Sequence, residues 1–110
     1  FKIMDTNIKK CFISIPVTGH EDTYVDDCIK VKDQLVERYP NVDFITPIDV
    51  TMELDRPTSF YMGKDIEQLL DCDAIVSVHG WETSKGCKVE RYTAEVYGLT
   101  RYFIDELLTP

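Results

Sequence analysis

Apolar and polar positions along the chain fall into short buried runs that alternate with amphipathic stretches. Cys11-Phe-Ile-Ser-Ile15 is a five-residue apolar run closed by Pro16, Gly19 and His20, the pattern of a fully buried strand followed by a turn. From Asp22 to Tyr39, Val25, Cys28, Ile29, Leu35, Val36 and Tyr39 recur at helical spacing, with Asp22 or Thr23 as the cap and Pro40 as the stop. Val42 to Thr46 reads as a second strand between Asn41 and Pro47, and Ile48 to Phe60 as a long loop without periodicity. Tyr61 to Leu70 is a short helix with Met62, Ile66, Leu69 and Leu70 as its stripe. Ala74 to Val78 is a strand, Lys85 to Tyr97 a helix, and Arg101 to Ile104 a last strand.

This β-α-β-α-β-α-β order predicts a parallel sheet of four to five strands with helices on both faces. Right-handed crossovers make it a flavodoxin-like or Rossmann-like doubly wound α/β domain in three layers, one domain over residues 1–110. No internal repeat, low-complexity segment or linker interrupts it.

One charged residue breaks the pattern. On the helix opening near Ser84, Lys88, Arg91 and Glu95 share a face. Glu90 points the other way, among Gly86, Thr93, Ala94 and Tyr97. A lone carboxylate leaving water costs several kcal/mol, so such a group is paired, protonated or used as a reagent. Glu90 follows a strand directly, and ligands of open α/β sheets bind at the carboxyl ends of strands.

Three loops meet at that edge: Pro16 to Asp22, Pro47 to Phe60, and His79 to Gly86. Ser84 and Gly86 open a helix whose free amides and dipole favour an anion, or Ser84 is a plain N-cap. Gly19 and His20 offer close backbone approach and a polar contact, or form an ordinary exposed turn. Trp81, the sole tryptophan, either closes the core edge or stacks on a ligand. Asp65, in the first turns of its helix, is either a cap or, at the boundary of the apolar stripe, within reach of the Glu90 pocket, where two carboxylates in different surroundings could divide labour at a sugar.

Composition narrows the partners. Twenty acidic and twelve basic residues leave a net charge of −8, which excludes polymeric nucleic acid as the main partner. The glycine pattern is not that of a dinucleotide-binding loop. Cys11, Cys28, Cys72 and Cys87 form no C-x-x-C pair and no histidine cluster joins them, so no metal and no cofactor is expected. Buried free thiols fit a reducing, cytoplasmic setting. No apolar run spans a membrane and no signal-peptide pattern opens the chain, whose native start fits Met4, with Phe1 to Ile3 foreign to it.

Taken together these residues resemble the nucleoside 2-deoxyribosyltransferase-like superfamily, particularly its small members from bacteria and their phages. Phe12-Ile-Ser-Ile-Pro-Val-Thr-Gly19 is similar to the family's opening strand and loop. Asp65 to Ile75 is similar to its central aspartate helix, and Gly80-Trp-Glu-Thr-Ser-Lys-Gly-Cys-Lys-Val-Glu90 to its signature loop and helix. The resemblance implies that Glu90 is a nucleophile at the anomeric carbon of a nucleoside or nucleotide, and that Asp65 contacts sugar hydroxyls and assists proton transfer. It places Phe12, Ser14, Gly19, His20, Trp81, Ser84 and Gly86 around the ligand. Ser84, six residues before Glu90, matches members that act on nucleoside 5′-monophosphates. A homodimer or larger assembly is implied as well.

Two positions depart from the pattern. Phe12 stands where many catalytic members have a tyrosine, and Ile15 where they have a glycine. The departures support an alternative, a nucleotide-binding module that serves as a sensor or sink without chemistry. In a third reading the domain is purely structural.

Overall fold

The computed structural model describes residues 3–17 and 19–108. Phe1 and Lys2, part of the segment set apart above, lie outside the described residues, as does Thr18. Four strands, β1 (Lys10–Ser14), β2 (Asp43–Ile45), β3 (Ala74–Ser77) and β4 (Thr100–Phe103), form one parallel sheet in the order β2-β1-β3-β4. Five α-helices connect or follow them: α1 (Tyr24–Arg38), α2 (Pro47–Val50), α3 (Thr58–Leu70), α4 (Lys85–Val96) and α5 (Ile104–Leu108). This is the flavodoxin-like doubly wound arrangement that the alternation predicts.

The sheet has a core on each face, which is why its strands read as apolar runs and not as alternating ones. Cys11, Ile13, Ala74, Val76 and Tyr102 point to the α1 and α5 side, where they meet Leu35, Phe44, Ile104 and Leu107. Phe12 and Ile75 point the other way and meet Leu69 of α3, Cys72 and Ala94 of α4. By the same alternation, Ser14 and Ser77, register partners at the carboxyl ends of β1 and β3, face the α3 and α4 layer. At the opposite edge, one carboxylate oxygen of Asp73 accepts from the backbone amides of Lys9 and Lys10 at 2.9 and 3.1 Å. This bond ties the entry of β3 to that of β1.

Several expectations need correction. The stretch Ile48 to Phe60 is not one loop. Pro47 starts a short helix, with Asp49 accepting from the Thr46 amide at 2.8 Å, and α3 starts three residues before Tyr61. Residues 51–57 remain irregular, held where the Tyr61 hydroxyl donates to the Glu53 carbonyl at 2.8 Å and accepts from the Arg56 amide at 3.2 Å. Val25, Ile29 and Val36 of α1 are exposed, because only the stripe through Cys28 and Leu35 turns inward. Tyr97 is exposed too, since α4 ends at Val96. Segment Ile104 to Leu108 continues as α5, with Ile104 and Leu107 in the core. Among the described residues, no helix is long and apolar enough to cross a membrane.

Candidate active site

Glu90 is 4% exposed, on the inward face of α4 with Cys87 and Ala94. The Ser14 hydroxyl, itself fully buried, donates to Glu90 Oε1 at 2.7 Å. Asp65 projects from α3 and shares a hydrogen bond with the Glu90 carboxyl, and it is 9% exposed. Ser14, Asp65 and Glu90 therefore form one cluster, built from the end of a strand and two neighbouring helices.

Burial governs the protonation of this cluster. Glu90 is pushed up to about 8, chiefly by desolvation, with the Ser14 hydrogen bond opposing the rise and the charge and hydrogen bond of Asp65 adding to it. Desolvation pushes Asp65 up to about 6, opposed by its bond to Glu90. Between those values the pair holds one proton, and the two groups titrate as a unit.

Two neighbours of the pair escape sequence reasoning. Tyr24, the first residue of α1, has its phenol pushed up by burial and by the nearby Cys28, Asp65 and Glu90. Its one signal in the sequence is its position, where the loop after the first strand enters a helix. The Cys87 thiol is pushed up by burial and is hydrogen-bonded to Ser14 and Ser84. Its helical-wheel position beside Glu90 was the available clue.

The other candidate residues are distributed differently. Phe12 is fully buried and packs in the cluster of Leu69, Cys72, Ile75 and Ala94. Ser14 likewise gives its hydroxyl to Glu90 and has no exposed surface, which makes it a positioning group. Ser84 accepts from the Cys87 amide at 3.2 Å as an N-cap and remains half-buried. At Gly86 an added Cβ would lie 3.3 Å from Met62 Sδ, so the glycine lets α4 approach α3. Gly19 adopts φ +84° with open space around it, in an exposed turn.

Trp81 joins a cluster with Phe103 and Arg91. Its ring sits 5.7 Å from that of Phe103, and the Arg91 guanidinium lies over both, 3.9 Å from the Phe103 centroid and 5.3 Å from the Trp81 centroid. Arg91 also donates to Ser77 Oγ at 2.9 Å and to the Tyr102 carbonyl at 3.1 Å. Trp81 and Phe103 line a cleft of about 280 Å³ with His79 and Asp105. His20 lines a larger cleft between α1 and α5. Glu90 and Asp65 line neither.

All four cysteines are free and buried. Among the described residues, no group of three or more His, Cys, Asp or Glu side chains is arranged to hold a metal ion.

Residues 9–102 match a family described as a domain of unknown function, DUF4406. Among solved structures, the fold is similar to that of a 2-desoxiribosyltransferase from Leishmania mexicana, with a TM-score of 0.65 and 20% identity over 86% of this chain. At that identity the likeness is one of fold. This chain covers 63% of the length of that relative. No curated protein matches the sequence.

Proposed function

The chain belongs to the DUF4406 family, and we propose that it binds a nucleotide-like ligand and breaks or transfers its N-glycosidic bond, with Glu90 as nucleophile at the anomeric carbon. The observation that carries this reading is the buried, hydrogen-bonded Glu90 and Asp65 pair, held by Ser14 at the carboxyl end of β1. Desolvating two acids side by side costs several kcal/mol, and buried acids perturbed in this way cluster at functional sites. Two carboxyl groups with one proton between them are the equipment of a retaining glycosidic exchange.

The shared proton moves to Asp65, leaving Glu90 as a carboxylate that the Ser14 hydroxyl stabilises. A Glu90 oxygen bonds to C1′ while the C1′–N bond breaks, and its electron pair stays on the base nitrogen, which takes the Asp65 proton. Water or a second base then attacks C1′ and the ester C1′–O bond breaks. Its electrons return to Glu90 and the incoming group's proton to Asp65. Ser84 and the first amides of α4 are the proposed seat of a 5′-phosphate. The exposed stripe Val89, Tyr92 and Val96 on the same helix is the proposed contact with a second copy of the chain. Four buried free thiols favour a reducing compartment.

One observation favours a second reading. Glu90 is almost without exposure and lines neither open cleft, which suits a nucleotide-binding module that does not turn over.

Incubation with nucleosides and their 5′-monophosphates, with free base followed by chromatography, separates the two. Release that disappears in Glu90→Gln supports the enzyme. Binding without release supports the module. Neither release nor binding overturns both.

A further inference from the structure

We propose that the cleft between α1 and α5 is a second small-molecule site, one that takes an uncharged nucleoside-sized ligand. It lies across the sheet from Glu90: its walls continue the Leu35, Val76 and Leu107 core, whereas Ser14 and Glu90 belong to the α3 and α4 layer. The assignment therefore does not depend on any chemistry at Glu90.

Topology places this cleft where an open parallel sheet receives ligands. From β1 the chain turns outward to β2, and β3 lies on the other side of β1, so the crevice beyond the carboxyl ends of β1 and β3 is the switch point. Ile15 follows β1 and Val78 follows β3, and both line the cleft. Its volume of about 450 Å³ lies within the range of small-molecule pockets.

The lining selects a ligand type. Ile15, Val31, Val78 and Leu108 supply an apolar floor suited to a flat ring. Both histidines of the chain stand at the rim, each beside an aspartate: His79 Nε2 lies 2.8 Å from Asp105 Oδ1, and His20 Nδ1 lies 3.9 Å from Asp27 Oδ2. The two carboxylates are acceptors for sugar hydroxyls, the role an acidic residue plays toward ribose in related sheets. Gln34 offers an amide donor and acceptor to the edge of a base. Two aspartates against Lys30 leave no surplus positive charge for a phosphate, so a nucleoside fits better than its monophosphate.

Titration of the isotope-labelled full chain with adenosine, and separately with adenosine 5′-monophosphate, tests this by the amide shifts of Val31, Gln34 and Val78. Saturating shifts with millimolar adenosine are expected in the native chain and equally in Glu90→Gln. The monophosphate should bind about tenfold more weakly. Gln34 is exposed, so Gln34→Trp leaves the core intact while its ring fills the mouth, and the shifts should vanish. Asp105→Asn should weaken binding about tenfold by removing a charged acceptor. Absence of saturating shifts with adenosine, persistence of those shifts in Gln34→Trp, or equal affinity for the monophosphate would each overturn the assignment.

Discussion

Ser14 and Ser77 are register partners on adjacent strands, and their hydroxyls hold two consecutive residues of α4. Ser14 donates to Glu90, and Ser77 accepts from Arg91. The sheet's carboxyl edge thereby fixes the helix at two points one residue apart. A buried acid and a half-buried cation are set side by side, each with its own partners. Rotation of α4 about its axis would break both bonds, so the direction of Glu90 is set by the strands as much as by its own helix.

Ser14→Ala removes the hydrogen bond that favours the Glu90 carboxylate, so it raises the Glu90 pKa above its already elevated position. If base release requires the pair to hold one proton, with Glu90 ionised and Asp65 protonated, the rate peaks between the two titrations, and in this variant the limbs of the profile move to higher pH and its maximum falls. A pH–rate profile on both proteins reads this directly. An unshifted limb would detach Ser14 from the reaction.

Stability should fall as pH rises. Burial holds both acids above the ordinary carboxylate range of about 4, so the folded chain binds more protons than the unfolded one. Their contribution is full below about pH 4 and is lost as pH rises through about 6 for Asp65 and about 8 for Glu90. Glu90→Gln keeps an acceptor for Ser14 and gains a donor for Asp65, so it removes the Glu90 part of that loss. Urea unfolding at about pH 5 and about pH 9 should show the variant more stable than the native chain at the higher pH, by a few kcal/mol at most. Parallel pH dependence of the two proteins would mean that Glu90 is not the buried acid responsible.

Much of this arrangement was legible in the sequence, for identifiable reasons. Glu90 could be placed inward because Lys88, Arg91 and Glu95 share one face of α4 and it lies off that face, with Cys87 and Ala94. The central strands β1 and β3 were readable because they are buried almost throughout, as two-sided burial demands, whereas the edge strands β2 and β4 carry exposed Asp43 and Arg101. α2 was not readable, since four residues carry no period. The stripe of α1 was blurred by Val25, Ile29 and Val36, which are apolar yet exposed. Phe12 and Trp81 mark the limit for the site. The resemblance puts both around a ligand; which face of the strand Phe12 takes, and that Trp81 packs beside Phe103 of the next strand, are decided by tertiary packing.

The core role of Phe12 has a measurable consequence. Its ring is fully enclosed by Leu69, Cys72, Ile75 and Ala94, so Phe12→Ala should cost about 3–5 kcal/mol through lost transfer energy and the cavity left behind. Denaturant midpoints measure it, and a loss under about 1 kcal/mol would contradict the enclosure. Phe12→Leu retains most of the apolar volume and should cost markedly less.

Arg91 makes a separate prediction, because its guanidinium both donates and stacks. Arg91→Ala leaves the Ser77 hydroxyl, 1% exposed, and the Tyr102 carbonyl without this donor, and should cost about 1–3 kcal/mol. It also uncovers the Trp81 ring, so the emission of this single tryptophan should shift to longer wavelength in the folded state. Arg91→Lys restores a charge but not a planar fork, and an ammonium cannot lie flat over Phe103 while donating to Ser77. It should therefore recover only part of the stability and little of the emission shift. Full recovery by lysine would show that charge alone is used, and that the 3.9 Å stacking on Phe103 contributes nothing.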